Sequence, residues 1–225
     1  HSNYFTHLFW SLSFNQVLIV SSILRIDIIH INAEVLDLKN TKSKMSLVTD
    51  TRLVKVNKEY LANHFSKNMW QPWLRFFNHK LLENFSFPLD CILEDLMSFP
   101  FLYKDGINIY EINDYLVIYR LSENSATAKK NTIFFESFRQ AVELYSKLKN
   151  DEHFKITYFR LIEELFRLSL KENSFYNYCN FIEEYKGDIL YIRNNIRLSS
   201  FKAKFRYYFP KLFYIYKTRF FLKKL

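Results

Sequence analysis

Glycine is almost absent from this chain of 225 residues, in which only Gly106 and Gly187 occur. Phosphate-binding loops need backbone that approaches the ligand without a Cβ, so two isolated glycines exclude a P-loop and a dinucleotide-binding fingerprint. Cysteine is equally scarce, and Cys91 and Cys179 fit neither a zinc-ligand spacing nor a disulfide framework. We therefore expect two core thiols in a reducing compartment.

Motifs for metal binding and for hydrolysis are also missing. None of the six histidines has a second histidine at the helical i, i+4 spacing of a zinc site, and no Gly-x-Ser-x-Gly elbow of a hydrolase occurs. The chain contains no Asp-x-Asp or Asp-Asp pair, and Asp27, Asp37 and Asp50 each stand alone. Because a hard divalent cation on a phosphate needs clustered carboxylates, we predict no metal site within this sequence.

The uncharged stretch from Leu8 to Leu24 resembles neither a signal peptide nor a membrane span. Serine, asparagine and glutamine side chains interrupt it, and no cationic segment precedes it. The first residue is His1 rather than Met, and we expect a fragment of a longer protein. The expected location is cytoplasmic, or peripheral on the inner face of the plasma membrane.

Acidic residues are absent from Leu198 to Leu225, although the chain as a whole contains 23 of them and has a formal net charge of +9. Phenylalanine and tyrosine alternate there with basic residues, which we predict to contact an anionic membrane surface: Lys202, Lys204, Arg206, Lys211, Lys217 and Arg219. Each basic residue near such a surface contributes about 1 kcal/mol. Two alternatives stay open. The rings could pack on preceding helices or on another part of the protein, or the segment could bind single-stranded nucleic acid, which the lack of a recognised motif disfavours.

The hydrophobic pattern predicts a mixed α/β chain. A helix is predicted over 3–16, a β-branched strand covered on both faces over 26–38, a polar loop over 39–46, and a helix over 58–67 with Asn57 as its N-cap. Residues 70–76 are expected to be extended or irregular. Short helices are predicted over 79–84 and 93–103, and two strands over 107–112 and 115–121, with a turn at Asn113 and Asp114. Helices follow over 132–150, 152–172 and 175–185, after a boundary near 125–131.

The stretch from Met69 to Lys129 carries an ordered series of motifs. Trp70 and Trp73 come first, followed by Phe87-Pro88, the pair Glu94-Asp95 and a strand from Tyr115 to Arg120, with Ser125 and Thr127 behind it. In this order and spacing the stretch resembles the C-terminal half of bacterial family 2 glycosyltransferases of the GT-A fold. The helix and strand predicted within 3–38 resemble the segment after that family's metal-binding Asp motif, so the resemblance covers about residues 1–130.

The resemblance implies an inverting transfer of a sugar from a nucleotide diphosphate donor to a hydroxyl of a surface polysaccharide or a lipid-linked glycan. It implies that Asp95 is the catalytic base and that Glu94 orients the acceptor, while Trp70, Trp73 and Arg120 bind the acceptor. The family's nucleotide-binding units and its Mg²⁺ or Mn²⁺ motif have no counterpart here. We therefore expect no catalysis by this chain alone.

Each of these residues also has a simpler interpretation. Glu94 and Asp95 could merely occupy the first turn of a helix, where the macrodipole favours negative charge by about 0.3–1 kcal/mol. The two tryptophans could be core residues, and Arg120 a solvated residue at a strand end. We predict an acceptor-side GT-A portion over 1–128 and a helical extension with a basic aromatic tail over 129–225. The alternative function is a basic helical nucleic-acid-binding or interaction module.

Overall fold

The computed structural model describes residues 25–122, 132–171, 174–198 and 200–222. It has a mixed α/β structure with a curled mixed sheet and a helical C-terminal region. The chain divides into two compact units, one ending at Ala141 and the other beginning at Val142. Three features of the sequence analysis lie outside the described residues: the helix predicted over 3–16, the uncharged stretch from Leu8 to Leu24, and the motif residues Ser125 and Thr127.

The sheet of the first unit has five strands: β1 (Ile28–Leu36), β2 (Lys42–Met45), β3 (Arg52–Lys55), β4 (Arg75–Phe77) and β5 (Asn108–Arg120). Their order is β2, β1, β5, β3, and β4 pairs with the first residues of β1. β1 and β5 run parallel, whereas the other pairings are antiparallel. The two long strands are therefore central in the sheet.

β1 confirms the strand predicted from its β-branched run. Ile28 and Ile31 point to opposite faces of the sheet and are both fully buried, so both faces are covered. The polar residues His30 and Asn32 of the same strand are fully buried as well. Because buried polar groups are almost always hydrogen-bonded, each of them must find partners inside the protein.

β5 is one strand of 13 residues, so the prediction of two strands divided by a turn is wrong. Asn113 and Asp114, the expected turn residues, lie instead where β5 bulges away from its neighbour: it advances four residues while β1 advances two. The Asn32 side chain supports the bulge, since its Nδ2 donates to the Asn113 side-chain oxygen at 3.0 Å. A bulge and a turn both interrupt strand pairing, and the local sequence does not distinguish them.

Two short strands escape the sequence prediction. β2 lies in the polar stretch that was expected to be a loop, and β3 precedes the first described helix. Most residues of both strands are exposed, and neither sequence alternates between apolar and polar side chains. Each strand exists because a long buried neighbour offers it backbone hydrogen bonds.

The helix α1 (Lys58–Lys67) has the predicted bounds. The Asn57 side chain caps its start by accepting from the Tyr60 backbone N–H at 2.8 Å. Asn68 ends it in the left-handed conformation, with φ at 51°. The buried face of α1 carries His64, which brings a polar ring into the interior.

Short elements fill the segment between α1 and β5: three 3-10 turns at Pro72–Leu74, His79–Leu82 and Phe99–Leu102, and the helix α2 (Glu94–Ser98). The single helix predicted over 93–103 is therefore α2 followed by a 3-10 turn. Pro100 lacks the backbone N–H that would continue α-helical bonding, so the helix changes type there.

Within the described residues, the C-terminal region contains α3 (Thr132–Leu148), α4 (Glu152–Lys171), α5 (Phe175–Glu184), α6 (Lys186–Asn195), α7 (Phe201–Tyr208) and α8 (Pro210–Leu222). The first three confirm the helices predicted there, with bounds that differ by two residues or fewer. In the core of the second unit, the buried Phe166 ring lies 5.0 Å from Phe181 and 5.2 Å from Tyr207.

The expectation that both cysteines are core thiols is not met by the structure. Cys91 and Cys179 are free thiols that are half-buried rather than in the core. How far a cysteine is buried depends on the residues that pack around it, and the residue type alone does not give this. Among the described helices, none is long and apolar enough to cross a membrane.

Candidate functional site

Glu94 and Asp95 occupy the first turn of α2. Just before them, the backbone N–H of Ile92 donates to the Ser137 hydroxyl at 3.0 Å, which ties the start of α2 to α3. Leu93, at the N-cap position, makes no side-chain cap. The two acidic residues therefore supply the negative charge that a helix start favours.

The carboxyl group of Asp95 is only partly exposed. Its Oδ1 accepts from the Leu96 backbone N–H at 2.6 Å. Burial raises the pKa of Asp95, and Glu94 raises it further, whereas the Leu96 N–H and the Arg75 charge oppose the rise. A carboxylate with a raised pKa accepts a proton more readily than an ordinary one, which is the property required of a general base.

Arg75, on β4, is a buried cation whose charge acts on Asp95. Only 5% of its surface is exposed. Its Nε donates to the Tyr103 hydroxyl at 2.5 Å, and its terminal nitrogens donate to the carbonyl oxygens of Gln71, at 2.8 Å, and of Met69. In the part of the chain that the structure describes, no carboxylate forms an ion pair with Arg75. Neutral acceptors therefore hold its positive charge in place.

A chain of hydrogen bonds runs from Arg75 into the sheet. Because Arg75 donates to Tyr103, the Tyr103 hydroxyl is left to give its own proton to His30 Nε2, which lies 2.7 Å away. His30 then carries its proton on Nδ1, 3.2 Å from the Tyr60 hydroxyl, and that hydroxyl donates to Glu111 Oε1 at 2.9 Å. Each link has one donor and one acceptor, so the arrangement specifies the tautomer of His30.

Glu111 ends this chain near the protein surface. Its Oε2 accepts from Arg52 Nε at 2.8 Å, between residues that face each other across β3 and β5. The Arg52 side chain is 52% exposed, whereas that of Glu111 is 6% exposed. This series of hydrogen bonds therefore joins the buried guanidinium of Arg75 to the Glu111 carboxylate, whose charge the exposed Arg52 neutralises.

His30 and His64 are held in their neutral forms. Their rings stack with centroids 4.9 Å apart. Burial is the main cause that lowers the pKa of both rings, and the Arg75 charge lowers both further. His64 Nε2 lies 3.3 Å from a terminal nitrogen of Arg75 and accepts its proton, which a protonated ring would not do.

The two tryptophans that the resemblance assigns to acceptor binding differ in burial. Trp70 is 2% exposed, and its ring packs against His64, Phe65 and Tyr103, so its faces are covered by protein. Trp73 is half-buried and stacks on Tyr119 with ring centroids 4.4 Å apart. Trp70 thus has the core environment that was its alternative interpretation.

Arg120 lies away from the buried cation. It ends β5, where it pairs with Leu36, whereas Arg75 pairs with His30 near the opposite end of β1. At about 3.3 Å per residue, these two positions on β1 are about 20 Å apart. The Arg120 side chain is exposed. The charge of Arg75 therefore acts on Asp95, whereas Arg120 lies beside the other end of β1.

An open groove of about 670 Å³ borders α2. Polar and aromatic side chains both contribute to its lining, among them Lys80, Asn84, Phe85, Phe87, Phe101 and Lys104. Met97 and Ser98 form the part contributed by α2, and the two acidic residues do not line it. A ligand in this groove would lie beside α2, against ring faces and a few polar groups.

The predicted membrane-contact residues do not all face outward. The exposed ones are Lys202, Lys204 and Lys211, and Lys217 is half-buried. Arg206 is largely buried and forms an ion pair with Glu163 of α4. Arg219 belongs to α8, but its side chain is outside the described set.

Arg75, His30 and Tyr103 escape the sequence prediction. Two signals could have found Arg75 and His30: a basic residue inside the apolar segment that ends in Phe77, and a histidine within the isoleucine-rich run of β1. A polar residue at a position whose neighbours are all apolar is a local inconsistency that often marks a specific contact.

Among the described residues, no three His, Cys, Asp or Glu side chains could together hold a metal ion, so the Mg²⁺ or Mn²⁺ that the resemblance implies does not fit these residues.

The comparison with known proteins does not assign this chain to a family. No protein-family model matches this chain, and no curated protein matches it either. The interpretation of the acidic pair rests on the order of the motifs and on the geometry around Asp95.

Proposed function

We propose that this chain is the acceptor-side portion of an inverting GT-A-type glycosyltransferase, which transfers a sugar from a nucleotide diphosphate donor to a surface polysaccharide or a lipid-linked glycan. The environment of Asp95 carries the proposal: a partly buried carboxyl with a raised pKa, in the first turn of α2, under the influence of a buried arginine. The series of motifs from Trp70 to Arg120 supports the same conclusion.

In the proposed reaction, Asp95 accepts the proton of the acceptor hydroxyl while the hydroxyl oxygen attacks C1 of the donor sugar. The bond between C1 and the diphosphate oxygen breaks, and its electron pair leaves with the diphosphate. Attack from the opposite face inverts the configuration at C1. A positioned base of this kind contributes about 10²- to 10⁴-fold to the rate.

Glu94 and Arg75 have supporting roles in this proposal. Glu94 orients the acceptor beside Asp95. Arg75 is a positioning residue: its charge opposes the effect of burial on the Asp95 pKa, and so favours the ionised form that can take a proton. The hydrogen bonds to Tyr103, Gln71 and Met69 hold Arg75 in place.

The proposed acceptor contacts are Trp73 and the groove beside α2, with Arg120 available only to a distant part of an extended glycan. Trp70 has no such role, because its ring is buried. The proposal places the donor diphosphate and its divalent cation on residues other than these. Neither an Asp-x-Asp motif in the sequence nor a metal-ligand cluster among the described residues offers them a site.

The test is release of nucleoside diphosphate by the full-length gene product that contains this chain, with a panel of sugar nucleotides and Mg²⁺ or Mn²⁺. Asp95→Asn should lose at least about a hundredfold in turnover, as expected for a missing general base. Asp90→Asn is the matched control, since Asp90 is an exposed acid shortly before α2. Full activity of Asp95→Asn, or no turnover of any donor by the unaltered enzyme, would overturn the proposal.

A further inference from the structure

The lining of the groove beside α2 is positively charged. Lys80 and Lys104 contribute to it from two separate segments, and both side chains are exposed. No acidic residue is among the described residues that line the groove. In the described part of the chain, neither lysine forms an ion pair, so both charges are available to a ligand. Two positive charges at one groove favour an anionic ligand over a neutral one.

Ser98 brings a buried hydroxyl group to the same groove. It is the last residue of α2 and is only 7% exposed. A helical serine can donate to a carbonyl of the preceding turn, as Ser169 does to Phe166 at 3.0 Å. The Ser98 hydroxyl makes no such bond and has no partner within the described residues. Because buried polar groups nearly always have a partner, this hydroxyl is a second, independent sign of a ligand in the groove.

A fixed aromatic ring and two neutral polar groups complete the part of the lining that concerns us. The Phe87 ring is 46% exposed, and its edge-to-face contacts with Phe85 and Phe99, at centroid distances of 5.0 and 5.5 Å, fix its orientation. Asn84 and Ser86 add an amide and a hydroxyl without other hydrogen-bond partners in the described chain. A rigid ring beside such groups suits a sugar, which has apolar C–H faces and hydroxyls at its edge.

The groove lies close to the acidic pair along α2. Ser98 follows Asp95 by three residues, and positions three apart are neighbours on the surface of a helix. The rise along the helix axis between them is about 4.5 Å. Asp95 is not part of the lining itself. An extended ligand that binds Ser98 can therefore continue from the groove to Asp95.

We propose that the groove beside α2 binds an acidic saccharide, whose sugar units carry carboxylate or phosphate groups. Lys80 and Lys104 bind the anionic oxygens, the Ser98 hydroxyl donates to a sugar oxygen, and Phe87 packs against the face of a sugar ring. This inference rests on the proposed function, in which the groove holds the glycan acceptor, and it adds the charge of that acceptor.

The test is direct binding of oligosaccharides to the full chain, measured by titration calorimetry without donor or divalent cation. Tetragalacturonate supplies carboxylates, maltotetraose 1-phosphate supplies a phosphate, and maltotetraose is the neutral probe. At least one anionic probe should bind about tenfold more tightly than maltotetraose, as two exposed ion pairs allow. Added salt should weaken the binding of that probe, and which of the two binds distinguishes carboxylate from phosphate.

Lys80→Ala with Lys104→Ala should weaken the binding of the anionic probe about tenfold and leave that of maltotetraose unchanged. Lys39→Ala with Lys58→Ala is the matched control. It removes the same charge from two exposed lysines of the first unit that do not line the groove. The control should bind the anionic probe nearly as well as the unaltered chain.

Ser98→Ala should weaken binding by about two- to tenfold, which corresponds to the loss of one hydrogen bond. It should not lower the free energy of unfolding, because the hydroxyl has no partner in the described chain. A serine with a purely structural role would show the opposite pair of results, so denaturant titration of this variant separates the two roles.

The proposal is overturned if the chain binds none of the three probes, if anionic and neutral probes bind equally, or if the two lysine variants lose binding equally. It is also overturned if a single-stranded oligonucleotide binds more tightly than either anionic probe. Failure of the proposed function has a different result, since binding needs no donor. An anionic probe that binds to a chain whose full-length parent turns over no sugar nucleotide would reject the transferase and keep the acidic-saccharide site.

Discussion

The hydroxyl group of Tyr103 lies 2.7 Å from Nε2 of His30 and also accepts a hydrogen bond from Arg75 Nε at 2.5 Å. One oxygen therefore connects the buried cation to the central strand of the sheet. Because Arg75 supplies one hydrogen bond to this oxygen, its own proton is directed to His30, whose ring must be neutral to receive it. We therefore expect both the folding stability and the position of the Arg75 charge to depend on this contact.

Folding stability should fall as the pH drops below about 6.5, where histidines of the unfolded chain begin to bind protons. The buried His30 and His64 have lowered pKa values, so the folded chain stays unprotonated there. Their contribution is complete above the unfolded pKa and is lost as the pH falls towards the lowered values. The slope should reach about 1.4 kcal/mol per pH unit for each histidine.

Denaturant titrations at several pH values, followed by tryptophan fluorescence, would measure this slope. All three tryptophans precede Ala141, so their fluorescence reports the first unit. His64→Phe keeps a stacking ring but removes one titrating group, and should reduce the slope by about half. His79→Gln, at an exposed position, should not change it. Equal slopes for His64→Phe and the unaltered chain would contradict the prediction.

Tyr103→Phe should lower the free energy of unfolding by about 2–3 kcal/mol. The change leaves a buried donor on Arg75 and a buried acceptor on His30 without their partner, and each such group costs about 1–3 kcal/mol. Tyr115→Phe is the control, because its hydroxyl meets Ser46 at 2.7 Å in an exposed contact. Its loss should cost less than about 1 kcal/mol. Similar losses of unfolding free energy for the two variants would show that the buried contact stabilises the protein no more than the exposed one.

Asp95→Asn should stabilise the chain at neutral pH. A carboxyl with a raised pKa contributes stability below its unfolded pKa of about 3.9 and loses that contribution as the pH rises through the folded value. Asparagine keeps the acceptor for the Leu96 N–H and cannot ionise. The gain at pH 7 should therefore vanish near pH 4.

The same denaturant titrations at pH 4 and pH 7 would check this sign. Glu94→Gln, at the neighbouring first-turn acid, should stabilise the chain less than Asp95→Asn, because it relieves the repulsion of Asp95 but also weakens the interaction with the helix dipole, worth about 0.3–1 kcal/mol. If the Asp95→Asn variant is more stable but inactive, the native Asp95 serves the activity at a cost in stability. Destabilisation at pH 7 would instead favour the simple first-turn role.

Asn32→Ala should destabilise the first unit by about 3 kcal/mol, because several buried groups lose partners at once. The Asn32 side chain donates to the Val48 carbonyl and to the Asn113 side-chain oxygen, each at 3.0 Å, and accepts from the Val48 N–H at 2.8 Å. Asn32→Asp keeps the acceptor but adds a charge. It should be most destabilised at neutral pH and recover partly in acid, as thermal denaturation would show.

Asn113→Ala is the comparison for this prediction, since Asn113 is exposed and its side chain makes only one of these bonds. It should cost about 1 kcal/mol. A loss as large as that of Asn32→Ala would mean that the bulge depends on Asn113 more than on the buried amide.

Much of the fold could be predicted where a single local rule dominates. The β-branched run of β1, the Asn57 cap of α1 and the apolar period of α3, α4 and α5 each specify their element without help from distant residues. The prediction failed where a distant partner decides. β2 and β3 need the edges of a buried strand, and Asn113 and Asp114 became a bulge because Asn32 lies opposite.

The sequence by itself determined the acidic pair at the start of a helix, the series of motifs around it and the excess of basic charge in the tail, because these are properties of residue order. Only the tertiary structure decided that Trp70 is buried, that Arg75 acts on Asp95 and that Arg206 pairs with Glu163. Burial and charge pairing depend on side chains from different elements, and residues distant in sequence meet only when the chain packs.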